Sequence, residues 1–376
     1  MRAWQRLALG ASLLTVVGCG PEGVAAATSE SPSRQVSGSL PSSSPTPLTR
    51  TVSISASGDL LAHNTLYLTA KSTKGYDFRP MLAPLSGLLT ADVDICHLET
   101  PLSKGTPSSY PVFGTPVSLA DAIAATGWEG CSVASNHSLD KGVAGVVTTY
   151  RELRKRGLQS AGTSPSNSEP PAAWYTTDAG VRVAQLAYSY GFNGFQPPAD
   201  RPKLVNKIRV GSILSAARWV REHGADLVVV SLHWGTEYSD TPNSWQRDIA
   251  KQLTASPDVD AIIGHHSHVL QSAKIVNGKP VIYGLGNLWS GQGPWKDQPD
   301  GQHGAIVKLE FEISDAGARF TGGNYEPTLT LYRSWKVKSA TRVTEAGQTY
   351  EACRAIKDAA DHLGSVLTGP RACPKR

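Results

Sequence analysis

The stretch 260–269, which reads DAIIGHHSHV, indicates how the chain folds. Its apolar run ends at Gly264, and three histidines follow within four positions. A short apolar run bounded by glycine is typical of a strand buried in a parallel sheet. If the backbone stays extended past Gly264, His266 and His268 share one face and His265 points away. The stretch therefore predicts a buried strand that leads either to two metal-ligating histidines or to a histidine-rich polar loop.

The rest of the chain from residue 51 shows strands alternating with helices, which predicts an α/β fold. Apolar alternation indicates the strands, and helical spacing with glycine stops indicates the helices. From about residue 304 the pattern changes to two antiparallel strands and a final helix. The expected strands are TVSISASGD (51–59), DVDICHLE (92–99), GCSVASNH (130–137), VRVAQLAYS (181–189), DLVVVSLHWG (226–235), DAIIGHH (260–266), PVIYGLGN (280–287), GAIVKLEFEIS (304–314) and ARFTGGNYEPTLTLY (318–332). The expected helices are 118–127, 143–157, 211–224, 244–253 and 349–367.

Several predicted strands end in side chains that bind metals. Ligands of open α/β folds gather at the carboxyl ends of the strands, so these groups are expected to converge. Oxygen and imidazole ligands without a thiolate suit Mn, Fe(II) or Zn, and a two-metal site supports phosphoester chemistry. The candidate metal ligands are Asp59, Glu99, Asn136, His233, His266 and His268, and the candidate acid is His137.

Each candidate also has a purely structural explanation when it is taken alone. Asp59 could cap a helix over 60–70, and Glu99 could be a solvated carboxylate at a strand end. His233 could be a buried histidine satisfied by backbone groups. Asn136 could belong to a turn in which Asp140 caps the next helix. The expected convergence of all these groups favours the metal site over the separate explanations.

The N-terminus has the shape of a signal peptide over residues 1–19. Two arginines precede an apolar stretch that is too short to span a bilayer. The ending VVGC resembles a bacterial lipobox, so Cys19 is expected to carry a lipid that anchors the mature chain to the cell membrane. Plain secretion, with cleavage after VAAA at 24–27, is the alternative. Both place the chain outside the cytoplasm, and the Ser/Pro-rich residues 20–50 are expected to form a disordered tether.

The charge of the chain indicates which partners to expect, and its cysteines indicate which disulfides to expect. The net charge of +5 is not concentrated in Lys/Arg runs, so no nucleic-acid partner is expected. The basic balance favours an acidic partner. An extracytoplasmic setting permits disulfides, and Cys353 and Cys373 could pair across the last helix. Cys96 and Cys131 are expected to be small buried thiols on two strands.

Six motifs in order carry a family resemblance over about residues 51–290. They are SGDLLAH, HLETPL, SNHSLDKG, LHWGTEY, IIGHHSHVLQ and YGLGN. The series resembles the capsule-synthesis CapA family, also called poly-γ-glutamate synthesis proteins, which is related to calcineurin-like metallophosphoesterases. The resemblance implies a four-layer αββα metallophosphatase-like sandwich with a β-rich C-terminal extension. The expected boundaries are 51–335 for this domain and 336–376 for a helical tail.

The resemblance also implies a role for each candidate ligand. Asp59 and His268 would bind the first metal, Asn136, His233 and His266 the second, Glu99 would bridge the two, and His137 would protonate the leaving oxygen. Calcineurin-like enzymes usually have a histidine two residues after the first aspartate, where this chain has Leu61, so His63 is a further possible ligand. His97 stands where the capsule branch often has asparagine, and Asn287 matches a motif of unassigned role.

The implied function is a metal-dependent hydrolase of the cell envelope with two divalent cations and a phosphoester substrate. Two alternatives stay open. One is a non-catalytic factor that binds or exports an anionic polymer such as poly-γ-glutamate. The other is hydrolysis or transfer on a γ-glutamyl amide, which a two-metal site can also support.

Overall fold

The computed structural model describes residues 49–167, 172–293 and 300–373. The expected signal peptide, the lipidation site Cys19 and the tether up to residue 48 lie outside the described residues. Among those that are described, no helix is long and apolar enough to cross a membrane.

The described chain forms short strands and helices in alternation before a mainly β C-terminal part. The strands are β1 (Arg50–Leu61), β2 (Lys71–Ser72), β3 (Gly75–Tyr76), β4 (Val93–Leu98), β5 (Leu102–Ser103), β6 (Thr115–Pro116), β7 (Gly130–Ser132), β8 (Gln159–Ala161), β9 (Ala172–Thr176), β10 (Arg182–Ser189), β11 (Leu227–His233), β12 (Ala261–His265), β13 (Leu270–Val276), β14 (Lys279–Leu285), β15 (Asn287–Ser290), β16 (His303–Ser314), β17 (Gly317–Thr330) and β18 (Val337–Ser339). The helices are α1 (Asn64–Ala70), α2 (Arg79–Leu82), α3 (Leu119–Thr126), α4 (Gly142–Lys155), α5 (Val210–Glu222), α6 (Ser244–Thr254) and α7 (Thr349–Leu363), with 3₁₀ helices at Ala83–Leu88 and Ala340–Arg342.

Two large sheets form the centre of the molecule. The first has the order β18-β17-β16-β1-β4-β7-β8, and β15 also pairs with β1. The second has the order β13-β14-β12-β11-β10-β9. Within each sheet the strands that lead to candidate ligands run parallel, β1 with β4 and β7 in the first and β10 to β12 in the second. Their carboxyl ends therefore lie at one edge of each sheet.

The two sheets pack face to face, and helices cover their outer faces. Strand alternation explains this, because successive side chains point to opposite sides of a strand. Ile263 of β12 joins the core between the sheets, whereas the preceding Ile262 packs in the core under α5 and α6. On the first sheet, Leu98 joins a third core with residues of α2, α3 and α4. The expected four-layer αββα sandwich is confirmed.

The C-terminal part extends the first sheet. β16 pairs antiparallel with β1, β17 with β16, and β18 with β17. The strand β18 lies within the stretch that was expected to be a helical tail. Helix α7 follows it, and Ala359 and Leu363 of this helix enter the core between the sheets.

The described part of the chain contains two disulfides. One joins Cys353 of α7 to Cys373, the pair that the sequence suggested. The other joins Cys96 to Cys131, so the prediction of free thiols at these positions is wrong. The two residues lie directly opposite each other in the parallel pair of β4 and β7, with Cα atoms 4.4 Å apart. That separation is within the range that a disulfide spans.

Candidate metal centre

Strand register places one row of polar side chains across the edge of the first sheet. Asp59 near the end of β1 is paired with Asn287 of β15 on one side and His97 of β4 on the other. His97 is in turn paired with Ser132 of β7. All four side chains are buried. Buried polar groups need partners, so this row must be satisfied by neighbouring groups or by a ligand.

A second row crosses the edge of the facing sheet. His233 at the end of β11 is paired with Ser189 of β10 and with His265 of β12. The two rows meet, because the rings of His97 and His265 are stacked with their centroids 4.0 Å apart. The expected convergence of strand ends thus brings together side chains from both sheets.

The turn after β12 differs from the expectation that His265 points away. The backbone does not stay extended, because φ is positive at His266 (90°) and His268 (57°). The Nδ1 atom of His265 lies 3.0 Å from Oδ1 of Asp59, so its side chain faces the site. The backbone N–H of His266 donates to Oδ2 of Asp59 at 3.0 Å. All three histidines therefore lie at the centre rather than two of them.

The potential ligands form three overlapping groups. Within each group one ligand atom per residue lies within 4.8 Å of the others. Asp59 belongs to two of the groups and His268 belongs to two, so the three groups make one continuous set of donors. They are Asp59 with His97 and His265, Asp59 with Glu99 and His268, and His268 with His266 and Glu237.

Glu99 provides the strongest sign that the set suits a cation. Its side chain is buried, and neither carboxylate oxygen has a hydrogen-bond partner among the described residues. Its Oε1 lies 3.9 Å from Nε2 of His233 and 3.9 Å from Nε2 of His268. Two ligand atoms that are each ~2.1 Å from one cation lie about 3–4 Å apart. The donors around Glu99 therefore fit a divalent metal.

The ionisation of Glu99 and its neighbours follows from burial and from their mutual contacts. Burial raises the pKa of Glu99 to about 8. Burial alone would raise the pKa of Asp59, but the hydrogen bond with His265 and the close contact with His268 hold that pKa well below its usual value. Burial opposes the charge of His268, yet the nearby carboxylates of Glu99 and Asp59 raise its pKa to about 9. Without a metal the centre therefore retains protons that a cation would displace.

A chain of hydrogen bonds fixes the proton positions on two histidines. Nε2 of His233 lies 2.9 Å from Oδ1 of Asn136, which can only accept, so Nε2 carries the hydrogen. Nδ1 of His233 then accepts from Nε2 of His97 at 3.0 Å, and Nδ1 of His97 accepts from Oγ of Ser132 at 2.7 Å. Burial lowers the pKa of both histidines, which keeps them neutral. Asn136 and His233 are thus adjacent, and for both to bind one metal the hydrogen of His233 would have to move from Nε2 to Nδ1.

Asn287 orients His268. Its Nδ2 donates to Oε1 of Gln292 at 2.8 Å and to the carbonyl oxygen of Gly301 at 2.9 Å. Its Oδ1 therefore faces Nδ1 of His268 at 3.1 Å. This contact holds Nε2 of His268 on the side of Glu99. The structure gives Asn287 the orienting role that the sequence left open.

His137 lies beside the centre with its own carboxylate partner. Its Nδ1 is 2.7 Å from Oδ2 of Asp140, which also accepts from the backbone N–H of Phe113 at 2.7 Å. Asp140 does not cap the following helix, since Lys141 is the N-cap of α4 and no side chain caps it. The Nε2 atom of His137 has no hydrogen-bond partner among the described residues and is the nitrogen available for proton transfer.

His63 lies outside all three ligand groups of the described residues. Its Nδ1 is 3.1 Å from the carbonyl oxygen of Leu61 and 3.2 Å from the backbone nitrogen of Gly291. Burial lowers the pKa of His63 to about 4. Its ring also contacts the edge of Phe113. A role for His63 as a ligand stays a prediction.

Sequence reasoning did not select His97, His265 and Glu237 as ligands. A signal for His97 exists, because it stands two residues before Glu99 and such residues share a strand face. His265 could have been found only from its register with His233. Glu237 follows β11 in a loop and is half exposed, and no periodic pattern singles it out.

The chain is similar to bacterial capsule synthesis proteins. The family model described as bacterial capsule synthesis protein PGA_cap matches residues 53–292. The PGA biosynthesis protein CapA of Bacillus subtilis (strain 168) is 34% identical over 190 residues, which cover 49% of this chain and 47% of that protein. The capsule biosynthesis protein CapA of Bacillus anthracis is 31% identical over 199 residues, which cover 52% of this chain and 47% of that protein. The chain thus spans about half the length of the curated relatives it matches.

Among solved structures, the calcineurin-like phosphoesterase YfkN from Bacillus subtilis aligns with a TM-score of 0.45 and 15% sequence identity. The alignment covers 84% of this chain and 98% of that chain.

Proposed function

Since the chain belongs to the bacterial capsule synthesis protein family PGA_cap, we propose that it is a metal-dependent hydrolase that acts on a phosphoester. The observation that carries the proposal is the buried carboxylate of Glu99. It has no hydrogen-bond partner among the described residues and lies between two imidazole nitrogens at 3.9 Å. An unpaired buried carboxylate is costly, and a coordinated cation removes that cost.

The residues divide into ligands and proton carriers. Asp59, Glu99 and His268 would hold one divalent cation, while His233, Asn136 and His266 would contribute to a second. A divalent cation supplies a nucleophilic water near neutral pH and stabilises charge on the ester oxygens.

His137 then donates the proton from Nε2 to the leaving oxygen. Asp140 holds the opposite edge of the ring through Nδ1 and so keeps Nε2 directed away from it. A side chain positioned to give a proton to a leaving group acts as a general acid.

The test combines metal analysis with hydrolysis assays on the full chain. Wild type, Glu99→Gln and Glu310→Gln are loaded with Mn, Fe or Zn and assayed on phosphomonoesters and phosphodiesters. Glu310 is exposed on β16 and provides the same chemical change away from the centre. We expect Glu99→Gln to lose bound metal and about 100-fold or more in rate, because one ligand is removed. The control should keep both.

Two results would contradict the proposal. One is the absence of hydrolysis with every divalent metal. The other is a Glu99→Gln protein that keeps its full metal content and rate.

The proposal also includes the cellular location of the protein. The VVGC motif supports lipidation of Cys19 and a position outside the cytoplasm at the cell membrane. Cys19→Ala should move the chain from the membrane fraction, which is measured by fractionation and immunoblotting. An unchanged distribution would argue against the lipid anchor.

The names of the Bacillus relatives favour a second candidate function. They are named for PGA and capsule biosynthesis. The chain would then bind or export an anionic polymer such as poly-γ-glutamate without hydrolysis. In a deletion strain, polymer export that is restored fully by His137→Ala would support this candidate over hydrolysis.

A further inference from the structure

The loop of residues 104–114 exposes apolar side chains to solvent. Tyr110 at its tip is 79% exposed, and Val112 is 36% exposed. Ser108 and Gly114 exchange two backbone hydrogen bonds, of 3.1 and 3.0 Å, which close the loop at its base. Oγ of Ser108 also donates to the carbonyl oxygen of Val112 at 2.7 Å. The fold therefore holds Tyr110 and Val112 outward on a closed loop.

Helix α1 lies beside this loop and adds a third exposed apolar side chain. The backbone N–H of Asn64 donates to Oγ of Ser109 at 3.1 Å. The hydroxyl of Tyr67 donates to the carbonyl oxygen of Ser108 at 3.2 Å. Leu68 follows Asn64 by about one helical turn, on the same face of the helix, and is 72% exposed. Leu68 and the loop tip therefore belong to one surface.

The charges along this surface are positive. Neither of the two stretches that form it, residues 60–76 and residues 100–120, contains an aspartate or a glutamate. Lys71 and Lys74 directly follow α1 and are exposed. The next carboxylate along the chain, that of Asp77, is paired with the guanidinium two residues later at 2.8 Å. Lysines beside exposed apolar side chains attract an anionic lipid surface.

The same loop also forms part of the wall of the metal centre. Phe113 directly follows Val112 but is buried, and its ring lies 4.6 Å from the ring of His137. The backbone N–H of Phe113 donates to Asp140, which is the partner of His137. Adjacent residues of one loop therefore face the solvent and the proposed acid. A surface that contacts the loop tip lies next to the metal centre.

The proposed lipid anchor does not determine which face of the protein meets the membrane. The chain enters β1 at Arg50, and the twelve residues of this strand span about 40 Å. The metal centre lies at the opposite end of β1, where Asp59 is found. Residues 20–49 can span at most about 100 Å, so an anchor at Cys19 permits many orientations. The orientation of the centre therefore depends on a second contact.

We propose that Leu68, Tyr110 and Val112 dock on an anionic lipid surface and hold the metal centre against it. The apolar side chains enter the interfacial layer, where tyrosine rings are favoured, and Lys71 and Lys74 contact the lipid phosphates. A stable protein interface covers about 20–30 residues on each side, which is far more than three apolar side chains provide. The contact goes beyond the proposed hydrolysis and the proposed lipidation, and it depends on neither.

Cosedimentation with lipid vesicles tests the proposal. Residues 47–376 form one compact unit that contains both sheets, so a chain that begins at Pro47 keeps the fold and lacks the apolar stretch before Cys19. The vesicles contain equal parts of phosphatidylcholine and phosphatidylglycerol, and EDTA is present. Neither lipidation nor hydrolysis then affects the result, so this proposal can fail while the hydrolase proposal holds.

The first variant removes apolar side chains from the surface. We expect Leu68→Ser/Tyr110→Ser to bind the vesicles about tenfold or more weakly, because two apolar side chains are no longer buried in the interface. The control Trp245→Ser/Ile275→Ser makes a similar change at exposed residues of α6 and β13 and should bind like the unaltered chain.

The second variant removes charge. Lys71→Gln/Lys74→Gln should weaken binding to these vesicles about tenfold or more and have little effect with phosphatidylcholine alone. The control Lys251→Gln/Lys274→Gln, at exposed lysines of α6 and β13, should bind like the unaltered chain. Equal affinity of Leu68→Ser/Tyr110→Ser and the unaltered chain would overturn the proposal. So would an unaltered chain that does not sediment with the vesicles.

Discussion

In the folded chain, no described group donates a hydrogen bond to the buried carboxylate of Glu99. Its pKa is raised by burial to about 8 from an ordinary value of 4.5. Between these two values the folded state binds more protons than the unfolded state. Without metal, the free energy of unfolding therefore falls as the pH rises through that window.

Glu99→Gln should remove the free-energy cost of ionising this buried carboxyl group. We expect the metal-free variant to be more stable than wild type at pH 8 by about 1–3 kcal/mol, and to lose the associated decline between pH 5 and pH 8. Urea denaturation in EDTA at both values measures this. Glu310→Gln should match wild type. A variant that is less stable than wild type at pH 8 would show that the carboxylate has an unrecognised partner.

His137 can be tested through the leaving group. His137→Ala should lower kcat by about 10²–10⁴-fold on an alkyl phosphoester, because the alkoxide needs a proton. The loss should be much smaller on a p-nitrophenyl ester, whose leaving group departs without one. Steady-state rates on the two esters at equal metal content measure the difference. Equal losses on both would assign His137 a role in binding rather than in proton donation.

At the level of elements, the periodicity of apolar residues identified most long strands and helices. It placed β12 and the histidines after it, but it did not place the side chain of His265. The turn that directs His265 inward depends on the hydrogen bond between the backbone of His266 and Asp59, which are 207 positions apart. Positive φ at a non-glycine residue is uncommon, and a contact so distant in sequence cannot be read from local pattern.

The register between strands was the second property that the local sequence pattern could not predict. The prediction for Cys96 and Cys131 placed both residues on buried strands, but whether β4 and β7 are neighbours is set by the whole sheet. Once they are adjacent, the two cysteines face each other and form a disulfide. The same limit applies to His97, which is opposite Asp59 only in the folded sheet.

Helix α7 is held to the first sheet by a buried histidine. His303 at the start of β16 lies 3.2 Å from Asp358, 3.5 Å from Glu351 and 3.4 Å from Asp300. Burial opposes its charge, but the hydrogen bond to Asp358 and the nearby carboxylates of Glu351 and Asp300 raise its pKa to about 8. A raised histidine pKa stabilises the fold fully below about pH 6.5, and that stability is lost as the pH rises through 8.

His303→Gln should therefore lower the free energy of unfolding at pH 6 by about 1–3 kcal/mol and have a much smaller effect at pH 9. Denaturant unfolding at the two pH values measures the effect. His223→Gln, at an exposed histidine on the end of α5, is the matched control. A loss of equal size at both pH values would mean that packing, and not charge, explains the contribution of His303.

For the whole molecule, alternating strands and helices predicted the α/β class, and the family resemblance implied the four layers. The sequence did not show that the C-terminal strands would join the first sheet. β16 pairs with β1 across more than half of the chain, and such pairing depends on the complete fold. The convergence of strand ends was the most informative prediction, because it follows from parallel topology alone.

A cation bound at this centre would link the two sheets. Asp59 and Glu99 come from the first sheet, and His268 follows β12 of the second. Added Mn should raise the Tm, with about 2.7 kcal/mol of stabilisation at 100 times its Kd. Thermal scans over a Mn series measure this. His266→Ala/His268→Ala should show little shift, and an equal shift in that variant would place the binding site elsewhere.

The division of ligands between two sheets also determines when the chain can bind its metal. Asp59, Glu99 and Asn136 precede position 140, whereas His233, His266 and His268 follow position 230 and are synthesised later. Neither portion alone presents a complete coordination set. A chain that crosses the membrane unfolded would therefore travel without its cation. The metal that it finally acquires would be chosen by what is abundant where folding ends, and not by the metal supply of the cytoplasm.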